Sequence, residues 1–132
     1  MRYGAILHTA LNKKGINMFD LDNVVAEDVQ ENDLEEVVMG LIINSGQARS
    51  LAYTALKQAK QGDFETAKTT MEQSRVALSE AHRVQTQLIE SDEGEGRMKV
   101  SLVLVHAQDH LMTSMLAREL VAELIELHEK VQ

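Results

Sequence analysis

His106-Ala107-Gln108-Asp109-His110 places two imidazoles and a carboxylate within five residues, inside a stretch rich in Val, Leu and Met. At about 100° of turn per residue, His106, Asp109 and His110 fall on one side of a single helix. An apolar helix with three titratable groups on one side must pair them, bind something with them or use them, because burial without a partner is costly. Two chemistries fit. The i, i+3, i+4 spacing suits a metal, and a zinc hydrolase would need a third strong ligand, for which His82 is the candidate. Alternatively one imidazole is a nucleophile. With an unperturbed pKa of about 6.5, the neutral ring is abundant at cytoplasmic pH. It attacks phosphorus and leaves it again, so a phosphohistidine suits the carriage of a phosphoryl group between proteins. Such transfer runs through a loose transition state that needs positioning and charge stabilisation more than covalent help. A second histidine or a glutamine nearby can donate hydrogen bonds to the phosphoryl oxygens. Spacing alone leaves His106 and His110 equal as nucleophiles.

The elements that carry these residues are helical. The chain has 132 residues, no proline and 3% aromatics, and Ala, Leu, Glu, Gln, Lys and Met dominate from residue 34 onward. These are strong helix formers, and no stretch alternates with the period of a strand. The fold class is all-α. A first helix is expected from about Asn32 to Lys60, because Leu34, Val37, Val38, Leu41, Ser45, Ala48, Ala52, Ala55 and Ala59 recur at three- and four-residue steps. Gly40 and Gly46 lie inside it, each costing about 1 kcal/mol against Ala, and would allow a close approach by a neighbour. Gly62 suits a left-handed cap and Asp63 the next N-cap. A second helix is expected from Phe64 to about Glu90, with Phe64, Met71, Leu78, Gln85 and Leu88 on its buried side. His82 falls near Leu78 and Gln85, as a hydrogen-bonded core histidine would. After the polar turn Ser91–Gly96, a third helix is expected from about Arg97 to Lys130. Three long helices on short connections pack as an antiparallel up-down-up bundle over residues 33–132.

Residues 1–32 differ. They are acidic toward their end and lack a sustained period, which reads as a flexible arm. Met18 is a candidate initiator, which would make residues 1–17 an upstream extension. The net charge of -8 argues against nucleic acid or an anionic membrane surface as the main partner. Cysteine is absent, which removes disulfides, thiolate metal sites and thiol redox chemistry. No segment approaches the roughly 18 apolar residues of a membrane span, so a cytoplasmic protein without membrane insertion is expected.

The third helix is too apolar for a monomer. Leu102, Val105, Met112, Leu116, Leu120, Glu123 and Leu127 lie within about 60° of Asp109 on the helical wheel, while Val103, Leu104, Ala107, Leu111 and Ala122 occupy the opposite side. A helix at the rim of a bundle keeps one side in water. This one is expected to put one face into its own bundle and the other against copies of itself. Asp109 would be the polar layer of that seam, a type of position that fixes register and oligomer state. Carboxylates gathered at a symmetry axis repel unless protonated or bridged, and a hard divalent cation is the natural bridge.

The segment from Leu34 to Glu129 resembles the IIA component of the lactose/cellobiose family of the bacterial phosphoenolpyruvate-dependent sugar phosphotransferase system. The resemblance is carried by Glu35–Gly46, Ala48-Arg49-Ser50, Gln61-Gly62-Asp63-Phe64, Glu80-Ala81-His82 and His106–Thr113. Within the family, Lys99–His106 is most similar to the N,N'-diacetylchitobiose branch. The resemblance implies that His106 is the phosphorylated histidine, accepting the group from phospho-HPr on Nε2 and passing it to a cysteine of the cognate IIB, which serves the IIC permease. It implies a homotrimer in which three copies of Asp109 hold one divalent cation, magnesium by family habit. Gln108, His110 and His82 match family positions near the site, as phosphoryl or orientation contacts. The implied sugar is N,N'-diacetylchitobiose, with cellobiose or lactose as alternatives.

Overall fold

A computed structural model describes residues 25–132. Among them the regular structure is helical throughout: α1 (Val25–Lys60), α2 (Phe64–Asp92) and α3 (Leu102–Val131). The expectations for residues 1–24, the candidate initiator Met18 included, lie outside the described residues. Helix α1 starts at Val25 rather than near Asn32. The stretch Val25-Ala26-Glu27-Asp28-Val29-Gln30-Glu31 has no Pro or Gly to stop it and contains several good helix formers, so it extends the helix although it lacks an apolar period.

Residues Leu41–Gln132 form one compact unit, an antiparallel up-down-up bundle. The Ala-rich face of α1 builds its centre. Leu41, Ala48, Ala52, Ala55 and Ala59 are fully buried, and the last three join Ala67, Met71, Val121 and Ile125 from the other two helices in one core cluster. Small side chains let the helices come close enough for Ser74 Oγ of α2 to donate 2.6 Å to the Ala48 carbonyl oxygen of α1. Leu111 is the most enclosed large side chain of α3. Leu111→Ala should therefore destabilise the fold by about 2–5 kcal/mol, the range for a buried leucine left as a cavity, as measured by urea unfolding of the full chain.

The α1–α2 turn follows its chemistry. Gly62 adopts φ 83°, a left-handed conformation that glycine enters without a Cβ penalty. Asp63 then caps α2, its Oδ1 accepting from the Thr66 amide at 3.3 Å. The second connection is longer than expected, because α3 begins at Leu102 rather than near Arg97. Two local devices cause this. Asp92 accepts from the Met98 amide at 2.9 Å and from the Gly96 amide at 3.2 Å, folding the chain back over the end of α2. Ser101, in extended backbone, caps α3 by accepting from the Leu104 amide at 3.1 Å.

One side of α3 is covered by the bundle and the other is not. Leu104, Ala107, Leu111, Val121 and Ile125 are buried. Leu102 is 87% exposed, and Val105, Met112, Leu116, Leu120 and Leu127 are each about half exposed. These are the residues that flank Asp109 on the wheel. Contiguous apolar exposure of this kind marks an interaction surface.

Candidate functional site

The capped start of α3 presents His106 and Asp109 to solvent, with side chains 58% and 63% exposed. They sit one turn apart, and His106 Nδ1 lies 3.3 Å from Asp109 Oδ1. A carboxylate only accepts, so of the two neutral tautomers the nearby carboxylate favours the one with its proton on Nδ1, which leaves the lone pair on Nε2. A half-exposed imidazole in this tautomer can act as a nucleophile through Nε2.

His110 lies one turn beyond His106 on the same flank. The two rings stack with centroids 5.7 Å apart and planes 15° from parallel. His110 is half-buried, and its Nε2 would lie only 3.2 Å from a Cβ built on Gly46 of α1. The α1 backbone is thus part of the wall around the imidazole pair, and Gly46 supplies the space. Burial, the Arg49 guanidinium and His106 hold the His110 imidazole below its ordinary value, against an opposing pull from Asp109. Its neutral form is favoured, so an NMR titration should place the His110 midpoint below the ordinary imidazole value of about 6.5; a midpoint at or above that value contradicts this placement.

Gln108 belongs to a different flank. Two residues along a helix it turns roughly 160° from His106, toward α2, where Gln85 Nε2 donates to its Oε1 at 2.6 Å. Gln85, itself buried, also reaches Met112 Sδ at 3.9 Å. This bond occupies the Gln108 carbonyl. Within one chain, then, His106, Asp109 and His110 are brought together and Gln108 is not. The sequence pattern places Gln85 only on the buried face of its helix. The signal was there: an amide in an otherwise apolar row needs a partner.

His82 is not the core histidine that its neighbours suggested. It is exposed, and its backbone carbonyl accepts from Thr86 Oγ1 at 3.0 Å. The buried face of α2 is centred on Ala67, Ser74 and Ala81, so the next position after Ala81 turns outward by about 100°. A hydrolytic zinc site therefore lacks its third ligand: among the described residues of one chain, no three His, Asp or Glu side chains gather closely enough for a metal.

Comparison with known proteins decides the family. Residues 36–129 match the family described as PTS system, Lactose/Cellobiose specific IIA subunit. The chain belongs to this family. It is 76% identical over 115 residues to the N,N'-diacetylchitobiose-specific EIIA component of Escherichia coli strain K12, an alignment that covers 87% of this chain and 99% of that one. The IIA(Chitobiose) solution structure from the E. coli phosphotransferase system, solved as a complex with HPr, superposes with a TM-score of 0.67 at 83% identity, covering 74% of this chain and 95% of that one. The crystal structure of the cellobiose-specific enzyme IIA of Bacillus anthracis gives a TM-score of 0.71 at 44% identity, with 74% and 89% covered. As in the sequence reading, the IIA fold is all-α. Among the described residues no helix is long and apolar enough to cross a membrane.

Proposed function

We propose that this IIA chain is the phosphocarrier of an N,N'-diacetylchitobiose branch of the sugar phosphotransferase system. Nε2 of His106 attacks the phosphorus of phospho-HPr. The new N–P bond forms as the donor's bond to phosphorus breaks, with the electron pair staying on the donor. The reverse step delivers the group to the cysteine of the cognate IIB, which phosphorylates the sugar taken up by the IIC permease. The observation that carries the reading is the 76% identity to the chitobiose-specific E. coli protein over almost its whole length. The exposed His106 beside Asp109 supports the chemistry it needs. Cellobiose is the second reading, favoured by the 44% identity to the cellobiose-specific Bacillus anthracis enzyme. The work is placed in the cytoplasm, where phosphoenolpyruvate and HPr are available. Intact mass after incubation with phosphoenolpyruvate, enzyme I and HPr tests the carrier role, and growth on chitobiose after gene deletion tests the sugar.

The carrier is further proposed to act as a homotrimer built on the exposed stripe of α3. Its Asp109 carboxylates would meet at the axis. They are exposed oxygen donors within an apolar stripe, which suits a hard divalent cation such as Mg2+. Three copies are needed, since one chain offers a single carboxylate there. Such a cation would offset the repulsion between the carboxylates and hold the assembly. The chemistry at His106 Nε2 does not pass through it.

A further inference from the structure

The phosphoryl group brings negative charge to a place that is already negative. The chain carries a net charge of -8, and the Asp109 carboxylate sits 3.3 Å from the nucleophilic ring. In a loose transition state, charge spreads over the phosphoryl oxygens, and catalysis depends on fixed positive partners for it. The charged neighbour of His106 on its own helix is the Asp109 carboxylate, and Gln108 faces another flank. A cation must come from a neighbouring element.

Helix α1 provides one. Gly46 lies against His110, and Arg49, three residues on, shares that face of the helix. Arg49 is half-buried on that face. The other arginines of the bundle surface are largely committed. Arg75 pairs with Glu72, Arg83 with Glu80, and Arg97 with Glu93 and Glu95. Among the described residues, no carboxylate lies within ion-pair distance of Arg49. A half-buried guanidinium on the helix face that meets His110, in an acidic protein, is poised for an incoming anion.

We propose that Arg49 is the phosphoryl-binding cation of this site, carried on the α1 face that Gly46 opens beside the stacked His106–His110 pair. This rests on the reading of His106 as the carrier. Arg49 forms charge-assisted hydrogen bonds to the phosphoryl oxygens as the group settles on Nε2, and it stabilises the spread charge of transfer more than either resting state. Gly46 is a positioning residue: a Cβ there would lie 3.2 Å from His110 Nε2, so the imidazole would have to give by a few tenths of an ångström.

The test uses the full chain, phospho-HPr as donor, and the variants Arg49→Gln and Arg49→Glu. Removing one preorganised donor from a transition state typically costs 10²–10³ in rate, and a half-exposed group less. At saturating phospho-HPr the single-turnover rate should fall roughly tenfold to a hundredfold for Arg49→Gln. It should fall further for Arg49→Glu, with melting temperatures unchanged. A wild-type rate in Arg49→Gln overturns the proposal. So does a loss confined to the donor concentration needed for half-saturation, which would make Arg49 a docking residue, or losses that follow melting temperature rather than charge. His106→Ala is the control for the underlying reading. If it still takes up phosphoryl, the nucleophile is elsewhere and this proposal falls with it, whereas a silent control beside an unaffected Arg49→Gln removes Arg49 alone.

Discussion

His106→Ala should abolish phosphoryl acceptance while leaving the fold and the assembly intact. After incubation with phosphoenolpyruvate, enzyme I and HPr, intact mass should show the wild-type chain carrying a phosphoryl group and the variant carrying none. The effect is all-or-none because, among the described residues, no other imidazole is exposed beside a carboxylate in this way. His110 is half-buried, with its Nε2 turned against Gly46, and His82 is on α2, with no hydrogen bond or ring contact to the pair. The cost to stability should be small. The His106 side chain is 58% exposed and its polar contact is with an equally exposed Asp109; surface substitutions of this type usually change stability by less than about 0.5 kcal/mol. A variant that still gained the group, and lost it only on additional replacement of His110, would transfer the nucleophile to the second imidazole.

That choice between two histidines marks where the sequence stops being sufficient. The bundle itself was legible: of the residues that the three- and four-residue steps select, Val37, Val38, Leu41, Ser45, Ala48, Ala52, Ala55 and Ala59 are buried, while Leu34 at the start of the series is half-buried. The Gly62-Asp63 turn was legible too, since left-handed backbone and an N-cap have few alternatives in residue type. The misses share a cause. His82, Gln85 and the start of α3 depend on where a neighbouring helix lies, not on the periodicity of their own. His82 sits at the edge of its helix's apolar face, where a few tens of degrees separate core from solvent. Gln85 looked like a filler of that face until its partner, Gln108, came from α3. Ser101 was the usable signal for the start of α3, a capping residue type obscured by the apolar residues on both sides of it.

The exposed stripe makes the opposite kind of demand on the sequence, and two substitutions one heptad apart should answer in opposite directions. Leu116→Glu should reduce the assembly to the single 14.7 kDa chain, while Asp109→Leu should keep it or tighten it. In one chain Leu116 is 55% exposed, so a glutamate there meets water and leaves the bundle stable. In the proposed trimer the same position is a seam layer. Each copy then forgoes about 1.5–3 kcal/mol of leucine burial and gains a carboxylate that must be desolvated beside two others, a penalty of several kcal/mol per ion. Asp109→Leu removes such a cluster of carboxylates and extends the run formed by Leu102, Val105, Met112 and Leu116, and replacing buried charge by apolar packing is often neutral or stabilising. It should also end any stoichiometric binding of Mg2+ to the assembly. Light scattering across a concentration series decides both. If Asp109→Leu dissociates while Leu116→Glu does not, the axis does not run along this face of α3, and the exposed leucines cover a different partner.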